Sequence, residues 1–155
     1  MAATLDLKEI TLLSIEEAKL AEQNVPDILN KNSVWWLRSP GAYGDLATCV
    51  LEFGGIVDYG VRMDLNYGVL PALRIDNLKS NHLQIGDKIQ IASRSWTVIS
   101  DDLVLCDKII KREPFNRDKT RGNDYESSHI KEFLDKWDMW TITENGCTFE
   151  VFKFS

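Results

Sequence analysis

Hydrophobic and polar residues alternate over short distances along most of this chain, which predicts a series of short strands. In the first half, the stretches with this pattern are Ile10–Leu13, Ala47–Phe53, Ile56–Met63 and Val69–Ile75. Gly54 and Gly55 separate the second and third stretches, so we expect a β-hairpin there. Pro71 falls near the start of the last strand or at a bulge, because proline cannot donate to a strand ladder.

The second half continues this pattern as a three-stranded meander and a C-terminal hairpin. The predicted strands are Ile85–Ile91, Trp96–Ile99, Leu103–Cys106, Trp140–Thr143 and Cys147–Phe154. In the last of these the apolar phase slips by one residue near Val151, so we expect either a bulge or a strand end that is covered on both sides. The charged, aperiodic stretch Lys111–Asp124 is predicted to be the longest loop.

Two stretches predict helices. Ser14 followed by Glu17 forms a capping box, so a helix should begin there and continue to about Asn24. In residues 130–137, apolar side chains fall at i, i+3, i+4 and i+7, and one of the two serines at 127–128 is placed to cap this helix. Together with the strands, these helices predict a single α+β domain with antiparallel sheets and two main helices.

Residues 35–41 read Trp-Trp-Leu-Arg-Ser-Pro-Gly and form the most distinctive motif of the chain. Successive side chains of a strand point to opposite faces, so Trp35 and Trp36 can both be buried only in a strand that is covered on both sides. The Pro-Gly pair should then end the strand. We therefore predict a central strand of a sheet at this motif.

This motif, followed by a glycine-centred hairpin and the Gly-Val-Leu-Pro-Ala-Leu segment at 68–73, resembles the uncharacterised bacterial and phage domain family DUF6273. That family is distantly similar to the C-type-lectin-like and formylglycine-generating-enzyme-like folds. The resemblance implies a C-type-lectin-like fold for residues 1–155. Leu70 stands where the family usually has arginine, so the resemblance implies no function that depends on this arginine.

The two halves of the motif pattern occur in an unexpected order. Residues 10–75, which contain the tryptophan motif, resemble the C-terminal half of the family. Residues 84–137, which contain the meander and the second helix, resemble its N-terminal half. Together with the C-terminal hairpin they make up the second half of the domain, residues 84–155. The resemblance therefore predicts a circular permutation or a segment of a tandem array, and a permuted domain can fold when the ancestral termini lie close together.

Composition narrows the class of protein. A chain of 155 residues with 44% hydrophobic residues is enough for one domain with a real core. The formal charge of −6 argues against nucleic acid and anionic membranes as partners. Cys49, Cys106 and Cys147 lack metal-ligand spacing and suit buried free thiols. Since the start of the chain has no secretory signal pattern, we expect a cytoplasmic location in a bacterium or a phage-infected cell.

Catalytic and metal-binding patterns are weak. His82 and His129 stand outside recognisable motifs, and no two cysteines are close enough in sequence to form the copper site of formylglycine-generating chemistry. Asp64-Leu65-Asn66 and Asp101-Asp102 suit turns better than a calcium site or an acid–base pair. We therefore expect no catalytic residues, no metal ligands and no cofactor.

Recognition of a protein partner is the function that the sequence favours. In lectin-like binding scaffolds the variable contacts lie between the tryptophan strand and the closing Gly-Val motif, so the resemblance places them here in Ala42–Gly68. Tyrosines with short polar neighbours suit such contacts. The candidate binding residues are Tyr43, Asp45, Asp58, Tyr59, Arg62, Asp64, Asn66 and Tyr67.

Two alternatives and the oligomeric state stay open. The acidic charge also suits a phage-type inhibitor that occupies the basic groove of a host nucleic-acid enzyme. A small enzyme of unknown class is the third hypothesis. Homo-oligomerisation is compatible with each of the three functions.

Overall fold

The structure is a computed structural model that describes residues 2–118, 122–137 and 149–154. These residues confirm the predicted α+β class with two helices. In chain order the elements are β1 (Ala2–Leu5), β2 (Leu7–Thr11), α1 (Ile15–Asn24), β3 (Trp35–Pro40), β4 (Leu46–Val50), β5 (Ile56–Arg62), β6 (Tyr67–Val69), β7 (Ala72–Ile75), β8 (Lys88–Ile91), β9 (Arg94–Val98), β10 (Leu103–Cys106), β11 (Lys111–Glu113), α2 (His129–Asp135) and β12 (Phe149–Phe154). Single turns of 3₁₀-helix lie at Lys79–Asn81 and Tyr125–Ser127.

Both halves of the chain contribute to both sheets. The larger sheet has the strand order β1-β12-β8-β9-β10-β7-β2, and the smaller has β11-β6-β3-β4-β5. β7 pairs with β10 in the first sheet and β6 pairs with β11 in the second, so the two halves share one body. Neighbouring strands run antiparallel except β3 and β6, which are parallel. The C-type-lectin-like fold and the permuted order stay predictions.

Local capping determines where the helices begin. Ser14 Oγ accepts from the Glu17 amide at 3.1 Å while the Ser14 amide donates to Glu17 Oε1 at 2.9 Å, so the predicted capping box is confirmed. Ser128 caps α2 by accepting from the Lys131 amide at 3.1 Å. Neither described helix has the length and apolar composition needed to span a bilayer.

The paired tryptophans lie where the motif predicts. β3 is the middle strand of the smaller sheet, and Trp35 and Trp36 are both 0% exposed. Each indole also has a hydrogen-bond acceptor, because Trp35 Nε1 donates to Leu29 O at 3.1 Å and Trp36 Nε1 donates to Glu113 O at 2.8 Å. Burial of an indole without such an acceptor would carry a desolvation penalty. β3 therefore combines a large buried apolar area with satisfied polar groups.

The predicted strand Val69–Ile75 is wrong as one element. β6 ends at Val69 in the smaller sheet and β7 begins at Ala72 in the larger one. Pro71 has no amide hydrogen to continue a ladder, and its carbonyl instead accepts from the Cys106 amide at 3.0 Å. Leu70 and Pro71 therefore carry the chain from one sheet to the other.

The prediction that Lys111–Asp124 is one long loop is also wrong in part. Its first three residues form β11, and Phe115 is fully buried, with its ring centroid 5.8 Å from that of Trp36. One buried aromatic residue gives no periodicity, so the pattern missed it. The meander is confirmed as β8, β9 and β10, and β12 confirms the last strand. The predicted partner strand Trp140–Thr143 lies outside the described residues.

Candidate binding surface

The candidate residues lie on and around the hairpin formed by β4 and β5. Its turn is closed by the Leu51 amide, which donates to Gly55 O at 2.7 Å. β5 is an edge strand of the smaller sheet, so one side of its backbone has no neighbour among the described strands. Edge strands present free backbone groups, and natural proteins often protect them with bulges.

β5 carries such a bulge at its centre. Cys49 is paired with Val57 and Ala47 with Val61, so the three residues Asp58–Gly60 lie opposite Thr48 alone. Gly60 adopts φ +102°, a conformation that L side chains rarely adopt. The bulge bends this part of the edge strand, and the Tyr59 side chain within it is exposed.

Tyr43 and Tyr59 form an exposed aromatic pair. Their ring centroids lie 5.7 Å apart with an interplanar angle of 78°, an edge-to-face arrangement. The two residues are 62% and 55% exposed. The hydrogen bond to Tyr43 is the largest cause that raises the pKa of Tyr59, followed by burial and the nearby Asp45 carboxylate. The two rings are therefore held together although both face water.

Backbone contacts fix the position of this tyrosine pair. The Gly41 amide donates to Leu46 O at 3.0 Å, and the Ala42 amide donates to Tyr59 O at 2.7 Å. A Cβ atom at Gly41 would lie 2.7 Å from both Leu46 O and Tyr59 O. Asn123 Nδ2 donates to Tyr43 O at 3.0 Å and to Leu46 O at 2.9 Å. The glycine therefore permits a close approach that places Tyr43 beside Tyr59.

The other candidate residues lie in different environments. Asp45 and Asp58 are exposed beside the tyrosine pair. Arg62 donates to both carboxylate oxygens of Asp64, at 3.1 and 2.8 Å, and this hydrogen-bonded pair raises the pKa of Arg62. The last two candidates follow in the chain. Asn66 is exposed, whereas Tyr67 is half-buried with its ring centroid 5.2 Å from that of Trp36.

Sequence reasoning missed two members of this surface. Leu51 is 42% exposed and Phe53 is 81% exposed in the turn between β4 and β5. The prediction that Ala47–Phe53 is one strand is wrong at its end, because β4 ends at Val50. That prediction placed Leu51 and Phe53 in a strand and not in an exposed turn. The signal that could have found Phe53 is its position directly before Gly54-Gly55, since a residue at a hairpin turn is rarely covered. We call the exposed side chains of residues 42–62 the hairpin surface.

The weak catalytic candidates have structural partners. His129 Nε2 lies 3.1 Å from Glu113 Oε2, and Arg117 Nη2 lies 3.3 Å from the same oxygen. Burial alone would raise the pKa of Glu113, but the hydrogen bonds from His129 and Arg117 outweigh it and lower that pKa. In the β9–β10 turn, Asp102 Oδ2 accepts from Arg74 Nη1 at 2.8 Å. The two arginine contacts are ion pairs, the His129 contact is a hydrogen bond with Glu113, and none of the three joins a nucleophile to a base.

Within the described residues, the cysteines and acidic residues form neither a reactive thiol site nor a metal site. Cys49 and Cys106 are buried free thiols, as predicted, and burial raises the pKa of both, that of Cys49 to about 11. A thiol with a raised pKa is a poor nucleophile at neutral pH. Among the described residues, no three His, Cys, Asp or Glu side chains are grouped to hold a metal ion. Cys147 lies outside the described residues.

Comparison of the chain with family models, curated proteins and solved structures found no match. The resemblance to DUF6273 and the lectin-like folds therefore stays a prediction, and the function rests on the geometry described above.

Proposed function

We propose that this protein is a non-enzymatic binding domain that recognises a protein partner through its hairpin surface. One observation carries the proposal. Four of the six exposed large hydrophobic side chains in the described part of the chain belong to residues 42–62. They are Tyr43, Leu51, Phe53 and Tyr59. Concentrated exposed apolar side chains are typical of interaction sites.

The chemistry of these side chains suits a protein partner. Tyrosine and phenylalanine are enriched at interfaces because each contributes a large contact area. The edge-to-face contact of Tyr43 with Tyr59 pre-orders both rings, so less side-chain entropy is lost on binding. Exposed Asp45 and Asp58 supply polar groups around these rings, which matches the polar rim of a typical interface.

Capture of the partner tests the proposal. The immobilised full chain is mixed with a lysate of its source organism, and the retained proteins are quantified by mass spectrometry. Tyr43→Ala/Tyr59→Ala removes the pair. Leu20→Ala/Ile85→Ala removes two exposed large hydrophobic side chains that lie outside the hairpin surface, and it serves as the matched control. We expect a protein that the wild type and the control retain, and that the tyrosine variant retains roughly 30-fold less.

The partner is then purified, and its affinity for wild type and for Phe53→Ala is measured at two salt concentrations. Phe53→Ala should weaken binding, and the affinity should depend little on salt, because apolar contacts are not screened. A set of retained proteins that is identical for the wild type and the tyrosine variant contradicts the proposal. An affinity that collapses as salt rises, with no effect of the tyrosine variant, favours the acidic inhibitor instead.

A further inference from the structure

The charge of the chain is −6, but cations gather around one cavity in the larger sheet. The cavity has a volume of about 310 Å³ and lies at the β8–β9 turn and the end of β10. Arg94 and Lys108 line it, together with the hydroxyl-bearing residues Ser93 and Ser95. These residues supply cationic and neutral hydrogen-bond donors to one small space.

One carboxylate, Asp107, also lines the cavity, and both of its oxygens accept hydrogen bonds from other side chains of the protein. Its oxygens accept from Ser95 Oγ at 2.5 Å, from Thr97 Oγ1 at 2.6 Å and from Lys88 Nζ at 3.1 Å. Burial alone would raise the pKa of Asp107, but these hydrogen bonds outweigh it and lower the pKa. Asp107 therefore stays ionised and is compensated by Lys88, so it offsets little of the remaining positive charge.

Two further cations, Arg94 and Lys108, line the cavity beside this pair. Within residues 2–118 and 122–137, Arg94 and Lys108 make no ion pair with a carboxylate. Arg94 is instead held over the ring of Trp137, 5.4 Å from the ring centroid.

We propose that this cavity binds a small anion that carries one or more phosphate groups. A guanidinium offers a planar set of donors that matches phosphate oxygens, and an ammonium adds a point charge. The combination of Arg94 and Lys108 suits a multiply charged oxyanion better than a single carboxylate. A volume of about 310 Å³ is at the lower end for small-ligand sites, which suits a compact ligand and not a polymer.

Inorganic pyrophosphate is the probe, titrated into the full chain at physiological salt. Binding is followed by calorimetry and by amide chemical shifts in ¹⁵N-labelled protein. We expect a saturable isotherm, with the largest shifts at Ser93, Ser95 and Lys108. Orthophosphate should bind more weakly because it carries less charge, and sodium chloride at equal ionic strength should produce no saturable shift.

Substitutions locate the site. Arg94→Gln and Lys108→Gln should each weaken pyrophosphate binding about tenfold, because each removes a charge-assisted hydrogen bond. Lys79→Gln is the matched control, since Lys79 is 81% exposed and contacts Asp101 instead. Arg94 and Lys108 are both exposed, and Lys108→Gln also leaves the contact of Arg94 with Trp137 intact, so it keeps the test decisive if Arg94→Gln changes the fold. Absence of saturable binding by the folded wild type, or equal losses in all three variants, overturns the proposal.

Discussion

The smaller sheet carries two aromatic pairs with opposite surroundings. Trp35 and Trp36 lie in its middle strand and are 0% exposed. Tyr43 and Tyr59 lie at its edge and face water. Both pairs have large rings and polar groups with hydrogen-bond partners. Position in the sheet therefore separates a pair that stabilises the fold from a pair that is available for binding.

The manner in which each pair is held also differs. The tryptophans are fixed by packing from both sides, with Tyr67 and Phe115 against Trp36. The tyrosines are fixed by the backbone beneath them, where Gly41 allows a close approach to Tyr59 O. Substitutions at the first pair should change stability, whereas substitutions at the second pair should change recognition with little effect on stability. Four measurements test this division.

Trp36→Ala should have the largest effect. Removing this indole leaves a cavity beside Tyr67 and Phe115 and an unpaired Glu113 carbonyl, so we expect the free energy of unfolding to fall by about 3–5 kcal/mol. Urea unfolding measures the change. Tyr59→Ala is the matched comparison and should alter stability by no more than ~0.5 kcal/mol, because its side chain is exposed. Equal losses in the two variants would remove the distinction between the pairs.

Glu17→Gln should have the second-largest effect on stability, because Glu17 joins α1 to β3. Its carboxylate pairs with Arg38 of β3 and lies 2.9 Å from Arg74 of β7. Burial alone would raise the pKa of Glu17, but hydrogen bonds from Arg38, the Ser14 amide and Arg74 outweigh it and lower the pKa to about 2. Since the pKa is depressed on folding, the stabilisation is present above the ordinary value of 4.5 and is lost as the pH falls toward 2.

The depressed pKa corresponds to about 3 kcal/mol at neutral pH, so Glu17→Gln should destabilise by roughly 2–3 kcal/mol. Its stability should also lose the part of the acid-range pH dependence that Glu17 supplies, whereas Asp107 and Glu113, whose pKa values are also lowered, keep their parts. Urea unfolding as a function of pH measures both effects. Glu16→Gln is the control, since Glu16 is exposed in the same helical turn, and should change stability by no more than ~0.5 kcal/mol. If the stability of Glu17→Gln falls at acid pH as steeply as that of the wild type, Glu17 does not supply the pH dependence that its lowered pKa predicts.

The sequence was informative where the signal is local. The Ser14–Glu17 capping box depends on residues three apart, and the burial of Trp35 and Trp36 follows from the two-residue period of a strand. In both cases the side chains that determine the structure are neighbours in the chain. The start of α1 and the central position of β3 were therefore predictable without knowledge of the rest of the fold.

Long-range pairing was not predictable in the same way. Pro71 indicates an interruption, but only the pairing of β7 with β10 shows that the chain changes sheets there. The cation-lined cavity brings Arg94 together with Lys108 from separate segments, whereas the sequence shows Lys108 only within a stretch of mixed charge. Net charge and charge runs carry no information about such convergence. The tyrosine pair likewise depends on a contact between positions 43 and 59.

Gly41→Ala should have an intermediate effect on stability and a direct effect on the tyrosine pair. The added Cβ would lie 2.7 Å from two backbone carbonyl oxygens, so the segment must shift, at about 1–3 kcal/mol. Gly44→Ala is the matched control, because a Cβ there meets nothing within 4 Å. Unfolding and the amide shifts of Tyr43 and Tyr59 measure the two effects. If both alanine variants behave alike, the close approach at Gly41 does not position the pair.

Tyr43→Phe should have the smallest effect on stability and the most local one. It removes the phenol oxygen that bonds Tyr59 but keeps the ring, so the free energy of unfolding should change by no more than ~0.5 kcal/mol. The pKa of Tyr59 should fall toward the ordinary value of 10, because the hydrogen bond to Tyr43 is the largest cause that raises it. Titration of ¹³Cζ-labelled tyrosines by NMR follows each phenol separately. Tyr67→Phe should leave the pKa of Tyr59 unchanged, since Tyr67 packs against Trp36. A Tyr59 pKa that stays raised in Tyr43→Phe would show that the exposed rings do not form a pre-ordered pair, and the contrast with the buried tryptophans would then be one of exposure alone.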